Sequence, residues 1–161
     1  MSVKITVLAV GRMKEKFFAE AVREYAKRIG RYAAFTVIEV PDEPAPENLS
    51  DALKRRIKEK EGKRLLGKSS PSAYRIALCI EGIRMDSIRF SRLIDESMNR
   101  GCSRIEFLIG GSLGLSDEVV RSADLALSFS DMTFPHQLMR VILTEQIYRA
   151  FKIRNREPYH K

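Results

Sequence analysis

Five short stretches of β-branched and aliphatic residues recur along the chain and predict five strands. They span residues 3–10, 35–40, 74–80, 104–109 and 125–129. Between them, apolar residues recur about one helical turn apart, which predicts helices. These helices span residues 14–29, 51–66 and 88–98, and a further helix follows Pro135. Apolar strands that alternate with helices predict an α/β fold, with a mainly parallel sheet of five to six strands and helices on both faces.

Several residues mark where the predicted helices begin or end and where a connection is extended. Ser50 and Ser116 are placed to cap the starts of helices, and Gly101 is placed to end one. The proline-rich segment 41–48 predicts an extended surface connection, because its prolines lack backbone donors and disfavour helix. No repeat or long linker interrupts the pattern. We therefore expect a single domain over residues 1–161.

Composition narrows the class of protein. The chain is 44% hydrophobic and 31% charged, which is typical of a folded globular domain. No apolar run reaches the roughly 20 residues of a membrane span, and the apolar residues 3–10 do not resemble a secretory signal. Cys79 and Cys102 lack metal-ligand spacing. We expect a cytoplasmic protein with no membrane segment, no metal and reduced thiols.

The charge is concentrated in two segments. The whole chain has 29 Lys and Arg against 21 Asp and Glu, a net charge of +8. Residues 51–75 hold nine basic and three acidic residues, a net charge of +6. Residues 140–161 hold six basic and two acidic residues, a net charge of +4. Such concentration favours an anionic partner such as RNA, DNA or a phosphate ligand. The alternative is that these are solvated helix faces.

Two connections that follow predicted strands are candidates for ligand binding, because ligands of parallel sheets bind beyond the carboxyl ends of the strands. Residues 110–115, GGSLGL, can bring backbone N–H groups close to a ligand, although they match neither GxGxxG nor a P-loop. Residues 128–137 place Phe129, Met132 and Phe134 in a connection that is unusually apolar. These side chains either enclose a ligand or plug the end of the sheet.

The C-terminal helix and tail, residues 137–161, combine apolar and basic side chains. The apolar stripe must be buried against the sheet, a second subunit, or both. Tyr159, His160 and Lys161 end the chain. An aromatic ring, an imidazole and cations suit stacking on a base and neutralising phosphates, and the alternative is a solvated basic tail.

These motifs together resemble a known family. GGSLGL at 110–115, FSDMTFPHQLMR at 129–140 and EPYHK at 157–161 are similar to the ribosomal large-subunit pseudouridine methyltransferases of the SPOUT class. The similarity extends over the whole chain, including VGRMKEKFFAEAVREYAKR at 10–28 and EQIYRAFKI at 145–153. It implies a C-terminal trefoil knot, S-adenosyl-L-methionine as methyl donor, and a homodimer whose site uses both subunits. The implied substrate is N3 of a pseudouridine in a 23S rRNA hairpin of the assembled ribosome.

The resemblance also implies which residues form the site. The implied cofactor-binding residues are Leu78, Gly110, Phe129, Ser130, Asp131, Met132, Thr133 and Phe134. Removing the N3 proton calls for a base or for a cation that stabilises the anion. The candidate bases are His136, Glu145 and His160, and the candidate cations are Arg140 and Arg149. Tyr159, in the tail, is the remaining candidate for the active site.

Two other functions stay open on the sequence. One is a SPOUT methyltransferase that acts on another RNA, although no appended RNA-binding domain is evident. The other is a non-enzymatic module that binds ribosomes or RNA through the basic surfaces. A nicotinamide or flavin enzyme is disfavoured, because only Gly11 follows the first strand where GxGxxG would be expected.

Overall fold

The computed structural model describes residues 2–161, which form five strands and five helices in alternation. The strands are β1 (Lys4–Val10), β2 (Ala34–Val40), β3 (Tyr74–Arg84), β4 (Arg104–Ile109) and β5 (Leu125–Ser128). The helices are α1 (Lys16–Ile29), α2 (Asp51–Lys68), α3 (Ser87–Asn99), α4 (Asp117–Ser122) and α5 (His136–Arg154). Each predicted strand and helix is present, although β3 continues four residues beyond its predicted end at Ile80.

The strands form one sheet in the order β2-β1-β4-β3-β5, and every neighbouring pair is parallel. Parallel strands require a crossover between them, and α1 to α4 supply those crossovers. The predicted α/β class and the mainly parallel sheet are therefore confirmed.

Both faces of the sheet are covered. Alternate residues of β1 point to opposite sides, so that Val7 belongs to one buried cluster and Leu8 to the other. The larger cluster joins the sheet to α1, α3 and α5, and the smaller one joins it to α2 and α4. Ile147 of α5 and Leu65 of α2 are both fully buried, one in each cluster. The fold thus places α5 and the basic helix α2 on opposite faces.

The junction of β3 and β5 is irregular. Leu127 pairs first with Leu78 and again with Ile83, so residues 79–82 bulge out of the ladder. A Cβ added at Gly82 would lie 2.6 Å from the backbone carbon of Leu127, which explains the glycine. Beyond the bulge, β3 pairs again with the last two residues of β5 through Ile83 and Arg84. The trefoil knot implied by the resemblance stays a prediction.

The predicted helix ends are confirmed. The Ser50 hydroxyl accepts a hydrogen bond from the Leu53 N–H at 3.1 Å, and Ser116 caps α4 in the same way at 3.3 Å. Gly101 follows α3 with a φ of +87°, the left-handed conformation that glycine adopts readily. Over residues 2–161, no helix is long and apolar enough to cross a membrane.

Candidate active site

A cavity of about 1030 Å³ lies at the carboxyl ends of β3, β4 and β5. It forms where β3 leaves β4, because these strands pair only from Tyr74 to Ala77 and β3 then continues along β5. Its walls are the β3 bulge, the glycine loop after β4 and the connection from β5 to α5. Its position agrees with the rule that ligands of parallel sheets bind at the carboxyl ends.

Seven of the eight predicted cofactor-binding residues line this cavity. They are Leu78, Gly110, Phe129, Ser130, Met132, Thr133 and Phe134. Asp131 is the exception, because its carboxylate pairs with Arg84 at 2.5 Å on the surface, where both side chains are mostly exposed. Asp131 therefore ties the connection to the end of β3 and does not face the cavity.

The glycine loop presents backbone to the cavity through a tight turn. The Gly114 N–H donates to the Gly111 carbonyl at 3.0 Å, and Gly114 has a φ of +88°. A Cβ added at Gly110 would lie 2.6 Å from the Gly114 carbonyl oxygen and 2.8 Å from the Leu115 nitrogen. Real Cβ atoms do not approach backbone so closely, so a side chain at Gly110 would force the turn open.

Several lining residues were not identified from the sequence. Cys79, Ile80 and Glu81 of the bulge face the cavity, as do Val120 and Met139. The bulge residues were missed because Glu81 and Gly82 follow an apolar stretch and are typical of a strand's end. The pairing of β5 with both halves of β3 has no local sequence signal.

His136 stands at the start of α5 and lines the edge of this cavity. Burial and the neighbouring Arg140 guanidinium lower its pKa below the ordinary value, outweighing the opposite effect of Asp42. The imidazole is therefore neutral at pH 7 and able to accept a proton. Of the three predicted bases, it is the one that lines the cavity.

Arg140 lies one turn further along α5 and is almost completely buried. Its guanidinium donates to the carbonyls of Val10 and Gly11, at 2.8 and 2.7 Å, and pairs with Glu39 at 2.6 Å. These contacts fasten α5 to the ends of β1 and β2. Within this chain, Arg140 holds the backbone in place and does not line the cavity.

The remaining predicted catalytic residues form a cluster on α5 and the tail. Glu145 accepts hydrogen bonds from Arg149 at 2.8 and 2.5 Å, from the Tyr159 hydroxyl at 3.1 Å and from Gln146 at 2.9 Å. Arg149 also contacts His160 Nδ1 at 3.2 Å and stacks over the Tyr159 ring at 4.7 Å. The tail is therefore packed against α5.

This cluster presents hydrogen-bond donors. Burial and the Glu145 carboxylate raise the pKa of Tyr159 to about 12, so its hydroxyl stays protonated. A guanidinium can only donate, so His160 Nδ1 accepts from Arg149 and the ring N–H lies on Nε2. Neither Glu145 nor the tail residues Tyr159 and His160 line the cavity of their own chain. The structure thus separates the predicted site into a cavity and a donor cluster.

Within residues 2–161, no group of three or more His, Cys, Asp or Glu side chains is arranged to hold a metal ion. The polar side chains that line the cavity are instead hydroxyl groups, His136 and four charged residues, which are Lys58, Glu81, Asp117 and Arg121. Such a site suits an organic ligand with an apolar body and a few polar groups.

Comparison with known proteins agrees with this architecture. A family profile described as "Predicted SPOUT methyltransferase" matches residues 3–160. Proteins named "Ribosomal RNA large subunit methyltransferase H" from Carboxydothermus hydrogenoformans and Exiguobacterium sibiricum are 54% and 51% identical to the chain over 158 residues. Each alignment covers 98% of this chain and 99% of the relative. A protein of the same name from Bifidobacterium adolescentis is 52% identical over 158 residues, with the same coverage.

A solved structure described as a probable methylase family protein from Haemophilus influenzae Rd KW20 aligns with a TM-score of 0.49 and 11% identity. The alignment covers 99% of this chain and 70% of that chain, a similarity too low to support a conclusion. The family match and the relatives over nearly the whole chain are decisive. The chain belongs to the SPOUT methyltransferase family.

Proposed function

We propose that the chain acts as a single domain over residues 1–161 and methylates N3 of a pseudouridine in 23S rRNA, with S-adenosyl-L-methionine as donor. The substrate is the assembled ribosome in the cytoplasm. The names of the relatives support a large-subunit rRNA substrate. The observation that carries the proposal is the cavity at the ends of β3, β4 and β5, lined by seven of the eight residues of the cofactor motif.

The cavity fits this cofactor in size and chemistry. Its volume of about 1030 Å³ suits a nucleoside with an amino-acid chain. Leu78, Phe129 and Phe134 offer apolar surface for an adenine ring, while the turn at Gly110 exposes backbone amides and carbonyls to its polar edge. When bound, the cofactor supplies a sulfonium methyl group, which passes to N3 while the sulfur leaves as a neutral thioether.

The chain's own residues must position the acceptor nitrogen and remove its proton. His136 is neutral and stands at the edge of the cavity, so we assign it the proton from N3. The donors of the tail cluster, Arg149 and His160 Nε2–H, suit the pyrimidine oxygens on which negative charge develops. Glu145 and Tyr159 hold these donors in place.

We further propose that the active enzyme is a homodimer in which the tail of one subunit completes the cavity of the other. The cavity and the tail cluster share no lining residue within one chain. Exposed apolar side chains stand at the β3 bulge and in the connection beside it, including Ile80, Ile83 and Met132. A partner that covered this surface would bury them. A monomer in sedimentation at micromolar concentration would contradict the homodimer.

Mixed dimers test whether the site is shared. One subunit carries Gly110→Val in the cavity, and the other carries Tyr159→Ala and His160→Ala in the tail. Two different affinity tags isolate the heterodimer, whose wild-type cavity meets only the wild-type tail of its partner. We expect the heterodimer to regain about half of wild-type activity, since one of its two equivalent sites is intact. Each mutant homodimer should be inactive. An inactive heterodimer would place the tail at the cavity of its own chain.

The basic helix α2 supplies a surface for rRNA or for the ribosome around it. Arg55 and Arg56 are exposed on this helix. We expect the double charge reversal Arg55→Glu and Arg56→Glu to weaken ribosome binding and to flatten its dependence on salt, because fewer counterions are released. Binding titrations at several salt concentrations measure this. The control is Arg104→Glu, an exposed position at the amino end of β4. Equal effects of both changes would indicate a general charge effect.

Mass spectrometry of rRNA from cells that lack the protein tests the function itself. The proposal predicts the loss of one methyl group on one pseudouridine of 23S rRNA. Loss of a methyl group from tRNA or from 16S rRNA would instead favour a SPOUT enzyme with another substrate. If no modification is lost and calorimetry detects no binding of S-adenosyl-L-methionine, the chain is a non-enzymatic binding module.

A further inference from the structure

A second, smaller cavity adjoins the first at the carboxyl ends of β1, β2 and β4. Its volume is about 190 Å³, and it shares Gly111, Ser112 and His136 with the larger cavity. The other residues that line it are Gly11, Arg12, Lys14, Asp42, Glu43, Ile57, Glu61 and Gln137. This volume lies below the roughly 300–1,000 Å³ of pockets for drug-sized ligands, so it suits a single small ring.

Glu61 is the unusual member of this lining. It belongs to α2 and is only 4% exposed. Its Oε2 accepts a hydrogen bond from the Glu43 N–H at 3.0 Å, but its Oε1 is buried and has no hydrogen-bond partner among residues 2–161. A buried acceptor without a partner is costly and calls for an explanation. Burial also raises the pKa of the Glu61 carboxyl.

The neighbouring charges leave Oε1 of Glu61 free for a ligand. The Glu43 carboxylate is already paired with Arg64 at 2.5 Å. Arg12 and Lys14 are exposed at the rim, where they suit the phosphates of a nucleic-acid strand. The cavity therefore combines a buried acceptor inside with two cations and the Asp42 carboxylate outside, and the cations suit the phosphates on either side of one nucleotide in a longer chain.

The chemistry of the acceptor nucleotide supplies the missing donor. In uridine, N1 is bonded to the ribose and carries no hydrogen. In pseudouridine, the ribose is attached through carbon, so N1 keeps an N–H group. A single buried acceptor that faces N1 therefore distinguishes the two nucleosides, because only pseudouridine satisfies it.

We propose that the small cavity receives the pyrimidine ring of the acceptor and that Glu61 Oε1 accepts a hydrogen bond from its N1–H. This inference rests on the proposed function. N3 of the same ring then faces the boundary between the two cavities, where His136 stands. A Cβ added at Gly111 would lie 3.4 Å from both Glu61 oxygens. Because Oε1 exposes almost no surface, the turn at Gly111 and Ser112 must shift slightly to admit the ring.

The substitution Glu61→Gln tests this assignment. A glutamine has one acceptor oxygen where glutamate has two, so it cannot serve both the Glu43 N–H and the ring N1–H. The control is Glu59→Gln, an exposed glutamate on the same helix. A second variant, Glu61→Met, removes both acceptors while leaving a side chain that is readily buried.

The measurement compares single-turnover methylation of two ribosome preparations, one with pseudouridine at the target position and one with uridine. We expect the wild-type protein and Glu59→Gln to prefer pseudouridine. We expect Glu61→Gln and Glu61→Met to lose about 10- to 100-fold on pseudouridine, the usual effect of a hydrogen bond to a charged group, with little change on uridine.

Four results would overturn the assignment. Equal losses on both substrates would make Glu61 a structural residue that anchors the connection after β2. A weaker affinity of Glu61→Gln for S-adenosyl-L-methionine in calorimetry would assign the carboxylate to the cofactor's ammonium group. A wild-type protein that methylates neither ribosome preparation would refute the proposed function as well. If the wild type is active and the variants keep its preference for pseudouridine over uridine, this inference alone is refuted.

Discussion

Gly110→Ala is expected to weaken the binding of S-adenosyl-L-methionine about 10- to 100-fold, because overpacking at a closed position costs about 1–3 kcal/mol. The added Cβ would meet the Gly114 carbonyl oxygen at 2.6 Å, so the turn that lines the cavity must open. Calorimetry with the cofactor measures the affinity, and thermal unfolding shows whether the fold is retained.

Gly67→Ala provides the matched control for this change. Gly67 lies in α2, where an added Cβ would have no neighbour within 4 Å. We expect unchanged affinity and slightly higher stability, since alanine favours helix more than glycine does. If Gly110→Ala bound the cofactor as well as Gly67→Ala did, the glycine loop would not line the cofactor site.

His136→Gln is expected to lower the single-turnover rate of methyl transfer about 10²- to 10⁴-fold, the usual contribution of a general base. Glutamine keeps a polar side chain at the start of α5 but cannot take up a proton at neutral pH. Cofactor affinity should change little, which separates loss of the base from loss of the cavity. A rate unchanged by the substitution would remove His136 from the reaction.

The pH dependence adds an independent test of the same residue. Burial and Arg140 lower the pKa of His136, with a smaller contribution from Lys14 and an opposing one from Asp42. The neutral, active form therefore predominates above a pKa that lies below the ordinary value of about 6.5. The wild-type rate should rise with pH through that pKa and then level off, and His136→Gln should lack this step. A rise in the rate centred at a pH above the ordinary pKa of histidine would indicate that another group titrates.

The fold was predictable because its signals are local. Each apolar strand is short and each amphipathic helix is bounded by residues such as Ser50 and Gly101, so the order of elements followed directly. The continuation of β3 to Arg84 was not predictable in this way. It depends on contacts with β5, which follows some forty residues later, and Gly82 is the one residue that marks the close approach.

The site was predictable in its parts but not in its arrangement. The apolar connection after β5 and the glycine loop after β4 line one cavity, as their positions after strands indicate. The sequence and its family resemblance make Arg140 a candidate catalytic cation, and within this chain its guanidinium is buried against the carbonyls of Val10 and Gly11. Such a role depends on long-range packing, and a basic residue on a helix carries no sign of it.

The burial of Glu61 was likewise not predictable from the sequence. In the sequence it is one of several charged residues in a basic helix, where an exposed position is the usual expectation. The structure shows it 4% exposed beneath the connection that follows β2. The next residue is Gly62, where an added Cβ would lie 2.6 Å from the Ser116 hydroxyl oxygen, so α2 approaches α4 closely at this point.

Reconstitution of the reaction shows whether the protein methylates a pseudouridine of 23S rRNA. Ribosomes that lack the methyl group are incubated with the purified protein and S-adenosyl-L-methionine carrying a labelled methyl group, and their RNA is then digested and analysed by mass spectrometry. We expect one labelled methyl group per large subunit, on N3 of one pseudouridine, and none on free 23S rRNA. Label on another nucleoside, or no label on intact ribosomes, would contradict this expectation.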